Sequence, residues 1–113
     1  MQYMMFVVAD PDHTAADEAA APDIETWLDD VTSSGVRKIG DRLRPCQDAT
    51  TVRVRGGELL ITDGPFAETK EWIAGFDLLE CDDLDAAIEV AAAHPMAFVG
   101  RIELRPFWPF GED

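Results

Sequence analysis

Residues 2–8, QYMMFVV, are apolar on both alternating faces, with Tyr3, Met5 and Val7 on one side and Met4, Phe6 and Val8 on the other. A strand of this kind is covered twice. Residues 10–21, DPDHTAADEAAA, combine turn chemistry with an acidic, alanine-rich run and read as a loop or a frayed helical turn. A helix follows. Pro22 suits its first position, Asp23 and Glu25 suit its positive N-terminus, and Ile24, Trp27, Leu28 and Val31 recur at helical spacing until Gly35 stops it. Residues 36–43 predict a second strand. In TTVRVRGGELLIT, Val52 and Val54 alternate with Arg53 and Arg55 before Gly56-Gly57, which predicts a hairpin. Residues 72–81, WIAGFDLLEC, predict another strand. Asp82 or Asp83 then caps a helix with an inner face of Leu84, Ala87, Ile88 and Ala91, ended by Pro95. RIELRPF alternates Ile102 and Leu104 against Arg101, Glu103 and Arg105, giving a last strand before the aromatic tail PFWPFGED.

The order is strand, helix, strand, hairpin, strand, helix, strand. It predicts a single domain over residues 1–113 with a ferredoxin-like α+β fold, in which two helices cover one face of an antiparallel sheet and a hairpin is inserted. Both helices lie on one side, so the second apolar face of the first strand needs another layer. A second copy of the chain is the simplest supplier, and a homodimer is expected.

Composition narrows the partners. The chain has 113 residues and is 47% hydrophobic, enough to bury a core of its own. Twenty-three acids against nine Lys and Arg give a net charge of −14, which opposes nucleic acid and anionic membranes. No apolar run approaches the ~20 residues of a membrane span, the start lacks the features of a signal peptide, and the expected location is cytoplasmic. Cys46 and Cys81 have neither disulfide-framework nor CxxC spacing. No metal or organic cofactor is expected, because His13 sits in an acidic loop without a ligand set and the carboxylates lack ligand spacing. Six of the nine cations, Arg37, Lys38, Arg42, Arg44, Arg53 and Arg55, fall within residues 37–55. That band reads either as solvated strand faces paired with local acids or as a seat for a small acidic ligand.

The stretch TDGPFAETKEWIAGF, residues 62–76, holds the densest candidate chemistry. Asp63-Gly64-Pro65 specifies a turn by itself: Asp bonds the backbone ahead, Gly allows positive φ and Pro fixes its own φ. Together with TTVRVRGGELLITDGPFAETKEWIAGFDLLECDDLDAAIEVAAAHP and the closing IELRP, it resembles the YCII-related family, in particular its DGPF branch. The resemblance runs through QYMMFVV and GVRKIGDRL and is weakest in residues 10–27. It implies a dimeric α+β barrel in which two sheets face each other. It also implies a range of roles, since some YCII relatives look like small-molecule lyases or dehalogenating enzymes and DGPF members often accompany alternative sigma factors. Several YCII relatives pair a histidine on the first helix with an acid before a proline. Here the helix DIETWLDDVTSSG has no histidine, and the residue before Pro95 is His94.

These residues give a candidate site of Asp63 and His94 for proton transfer, with Gly64, Pro65, Phe66, Lys70, Glu71 and Arg42 around the substrate. Each has a plainer reading. His94 at a helix C-terminus is also favoured by the helix dipole, Lys70 near Glu68 and Glu71 also fits a surface cluster, and Phe66, Trp72 and Phe76 also fit a core or interface. The expected function is a small-molecule enzyme of lyase or isomerase type acting on an acidic or aromatic metabolite. The alternatives are a non-catalytic ligand-binding or regulatory dimer linked to an alternative sigma factor system, and a DGPF turn with a structural role only.

Overall fold

The computed structural model describes residues 1–64 and 72–112. The elements are β1 (Gln2–Ala9), α1 (Ala15–Ala20), α2 (Ile24–Ser33), β2 (Arg37–Arg42), β3 (Thr50–Arg55), β4 (Glu58–Asp63), β5 (Trp72–Glu80), α3 (Leu84–Ala92), α4 (Met96–Val99) and β6 (Gly100–Pro106). A four-stranded sheet has the order β2-β5-β1-β6, with every neighbouring pair antiparallel. Strands β1 and β2 are therefore parallel with β5 between them, and β5 and β6 are parallel with β1 between them. These are two interleaved split β-α-β units, and the fold is α+β.

The doubly apolar pattern of β1 is used as its spacing demands. Tyr3, Met5 and Val7 join Leu79 of β5 in the core, against Trp27 and Val31 of α2 and Ala87 and Ala91 of α3. The two alanines let α3 lie close to the sheet. Trp27 donates its indole N–H to the Val90 carbonyl at 2.9 Å, which ties α2 to α3 and satisfies the one polar atom of a large buried ring. Met4, Phe6, Phe76 and Leu78 are half-buried, and Ile39, paired with Leu78, is exposed. Met4 and Phe6 belong to the β1 face opposite the helices, where the Arg105 guanidinium stands 5.9 Å from the Phe6 ring centroid.

Four local readings are corrected. Residues 10–21 are neither loop nor frayed turn throughout: α1 forms because Thr14 and Asp17 make a reciprocal capping box. Pro22 precedes the helix, with Asp23 as the N-cap residue of α2. The inner face of α3 is narrower than expected, burying Ala87 and Ala91 with Val90 partly buried, while Leu84 and Ile88 are exposed. Asp83 is the cap, accepting the Ala86 amide at 2.9 Å. The helix ends at Ala92, so Pro95 opens α4 and does not itself terminate α3.

The hairpin stands apart. Strands β3 and β4 form their own two-stranded sheet, joined by Gly56 and Gly57 at φ +57° and +79°, the double positive φ of a type I′ turn. At its base the Gly64 amide donates to the Ala49 carbonyl at 2.7 Å and the Thr51 hydroxyl to the Gly64 carbonyl at 2.9 Å. The radius of gyration is 16.4 Å, whereas a compact chain of this length has about 13 Å.

Candidate functional site

A cavity of about 640 Å³ lies between α2, strands β2 and β5, and the turn from α3 into α4. Trp27, Leu28 and Met96 give it apolar walls, while the exposed residues Glu25 and Arg42 carry charge at its rim. Its polar interior comes from His94 and Asp77, which are 5% and 6% exposed.

His94 is placed by the end of α3, where its own amide donates to the Ala91 carbonyl at 3.1 Å. Its Nδ1 accepts the Met96 amide at 2.9 Å. A backbone N–H can only donate, so Nδ1 carries no proton and the neutral ring holds its proton on Nε2. The ring meets Trp27 edge-on, with centroids 4.6 Å apart and planes at 71°. Burial lowers the His94 pKa from its ordinary 6.5 to about 4. Near neutral pH the imidazole is uncharged, so a helix dipole acting on an imidazolium does not explain it. Its main asset is a fixed Nε2 donor, with only weak basicity.

Asp77 occupies an inward position of β5, facing Met5 on one side and Gly40 on the other. The Arg37 Nε donates to its Oδ1 at 2.6 Å, and a terminal nitrogen of the same guanidinium donates to the Gly40 carbonyl at 2.7 Å. Gly40 is required here: a Cβ would overlap Asp77 Oδ1 and stand 2.6 Å from the Phe76 carbonyl oxygen. Burial pushes the Asp77 carboxyl above its usual range, while the Arg37 hydrogen bond and charge pull it back. Arg37 is thus committed to Asp77. Arg42 is the freer cation, because among the described residues its guanidinium has no ion-pair partner.

The cavity therefore brings together two of the sequence candidates, His94 and Arg42, whereas Phe76 pairs with Phe6 and points to the other face of the sheet. Asp63 and Gly64 do not line it: Asp63 ends exposed strand β4, and Gly64 closes the base of the hairpin. Pro65, Phe66, Lys70 and Glu71 lie outside the described residues. Sequence reasoning missed Asp77 and Gly40, and placed Arg37 only within the cationic band of residues 37–55. A signal was present, since Asp77 is the single charge in the apolar run WIAGFDLL and shares its alternate positions with Gly75 and Leu79. An inward carboxylate needs a cation, and Arg37 is the residue β2 supplies. Among the described residues no three or more His, Cys, Asp or Glu side chains gather as a metal set, and no helix is long and apolar enough to cross a membrane.

Sheet and cavity define a small α+β domain that carries one polar pair in an apolar recess. The chain matches the YCII-related domain over residues 1–111 and belongs to that family. It is similar to a protein of Rhizobium meliloti (strain 1021) described as uncharacterized, with 45% identity over 69 residues, or 58% of this chain and 54% of that protein. The chain spans about half the length of this curated relative.

Proposed function

We propose that this YCII-related chain, of the DGPF type, binds a small carboxylic acid in the cavity and moves a proton on it, as a lyase or isomerase. The carrying observation is the fixed Nε2 donor of buried His94 and the buried Asp77 carboxyl lining one recess, with an arginine at its mouth that has no ion-pair partner among the described residues. Arg42 takes the substrate acid, and the His94 N–H donates to a carbonyl oxygen as charge develops on it. Asp77, with a raised pKa and one oxygen held by Arg37, takes the proton from the adjacent carbon. The neutral ring keeps its Nε2–H at neutral pH because Nδ1 is occupied by the Met96 amide, so the donor to an enolate-like oxygen is fixed in place. The half-buried Met4, Phe6, Phe76 and Leu78, with exposed Ile39 beside them, support a homodimer built by facing sheets.

The test is α-proton exchange of small 2-keto acids in deuterated buffer, followed by proton NMR with wild type, Asp77→Asn and His94→Gln. Exchange catalysed by the wild type and reduced at least tenfold in both folded variants is expected. Wild-type rates equal to buffer for acids that bind would remove the enzyme reading. The Arg37–Asp77 bond also ties β2 to β5, and this favours a second reading: a ligand-binding dimer without turnover, in a regulatory setting such as an alternative sigma factor system. Saturable binding without exchange supports it.

A further inference from the structure

The charges around the cavity are not all open to a ligand. Arg37 is held by Asp77, and Asp41, opposite Phe76, points to the other face of the sheet. Two charges remain at the rim, Arg42 of β2 and Glu25 of α2, and both are exposed. Arg42 stands opposite Gly75, on the same face of the sheet as Gly40 and Asp77, and glycine puts no side chain between it and the recess. Glu25 lies one turn before Leu28 and next to Ile24, both of which border the cavity. The positive end of a helix favours an acid anywhere in its first turn, but it does not choose the side of that turn facing a cavity. Like Arg42, Glu25 has no ion-pair partner among the described residues.

We infer that the cavity selects a zwitterionic acid with an apolar body, its carboxylate on Arg42 and its ammonium on Glu25. The inference rests on the proposed binding of an acid by Arg42 and is independent of proton transfer. Charge balance carries it. With the Arg37–Asp77 pair set aside, the mouth holds one cation and one anion, so a ligand bearing one of each leaves neither unmatched. A dicarboxylate sets its second anion against Glu25. The chain as a whole, at −14, also opposes the approach of net anions, whereas a neutral zwitterion meets no such long-range repulsion. The rest of the ligand is apolar because Ile24, Trp27, Leu28 and Met96 border the recess, and about 640 Å³ leaves room for a ring. Glu25 is thus the residue that sets specificity among acids.

The experiment is isothermal titration calorimetry of the full chain near neutral pH with probes that share a phenyl body. These are 3-phenylpropanoate, both enantiomers of phenylalanine, which add an ammonium, and phenylsuccinate, which adds a second carboxylate. Wild type, Glu25→Gln, Glu25→Lys and Arg42→Ala are compared, with circular dichroism as the check on folding. Affinity ratios between probes are read within each variant, so a change in the stability of α2 cancels. In the wild type one enantiomer of phenylalanine should bind roughly two- to fivefold tighter than 3-phenylpropanoate, and phenylsuccinate weaker than either. The ammonium preference should vanish in Glu25→Gln and give way to a preference for phenylsuccinate in Glu25→Lys, while Arg42→Ala weakens every probe. An ammonium preference that is absent from the wild type, or that persists in Glu25→Gln, overturns the selection; 3-phenylpropanoate binding that still depends on Arg42 then leaves the acid site standing. Binding of no probe, or binding unchanged in Arg42→Ala, overturns both.

Discussion

The buried imidazole gives a pH-dependent stability whose sign and size follow from the structure. His94 titrates near its ordinary 6.5 when unfolded and at about 4 when folded. In this window the unfolded chain binds the extra proton. The stabilisation is therefore complete above pH 6.5 and is lost as pH falls through the window toward 4. At about pH 5 the unfolded imidazole is roughly 97% protonated and the folded one roughly 10%, which removes about 2 kcal/mol relative to about pH 8. Asp77 works oppositely: its raised carboxyl pKa makes the ionised form costly, so its contribution is full below its unfolded pKa and falls away as pH rises. That effect is shared by a variant altered only at position 94. Urea unfolding of wild type and His94→Gln between about pH 8 and pH 5 isolates the imidazole, because glutamine keeps an acceptor for the Met96 amide and does not titrate in this range. The wild type should lose about 2 kcal/mol more than the variant over this interval. Parallel stability curves would show that His94 is not held neutral by burial and would refute the reasoning.

Other consequences are local. Gly40→Ala forces a methyl against the Asp77 carboxylate and the Phe76 carbonyl, and should cost about 1–3 kcal/mol in thermal or urea unfolding. Asp83→Ala removes the α3 cap and should cost about 1 kcal/mol, with faster exchange of the Ala86 amide. Trp27→Phe keeps the ring but loses the bond to Val90, leaving that carbonyl unpaired; about 1–2 kcal/mol in chemical denaturation is expected. Thr14→Ala breaks the capping box of a helix that buries no residue, so global stability should change by less than about 0.5 kcal/mol while proteolysis near residues 14–20 accelerates.

Much of the fold was legible because periodicity encodes it directly. QYMMFVV declares a strand with two apolar faces, and Gly56-Gly57 between alternating runs declares a type I′ hairpin. The limits of α1 were not legible because they rest on one reciprocal cap, Thr14 with Asp17, in a stretch whose composition argues for a loop. Leu84 and Ile88 look like core at helical spacing, yet the close approach of α3 through Ala87 and Ala91 turns them outward. The site was half legible. His94 stood out as the residue before Pro95, but its neutrality depends on burial against Trp27 and on the Met96 amide, which join residues across the fold. Asp77 and Gly40 meet only through the β2–β5 register, and spacing along the chain cannot show that. Asp63 drew attention through its motif, whereas the hairpin carries it to an exposed strand outside the cavity wall.

The most direct measurement on the proposed site is imidazole nitrogen NMR of the folded dimer or monomer, titrated with small 2-keto acids. His94 should resonate as the neutral Nε2-protonated ring at neutral pH. Its Nε2 signal should move saturably with ligand in the wild type, with the affinity weakened in Arg42→Ala. A charged or Nδ1-protonated ring, or an Nε2 signal unmoved by every acid, would contradict the assignment of this cavity as the site.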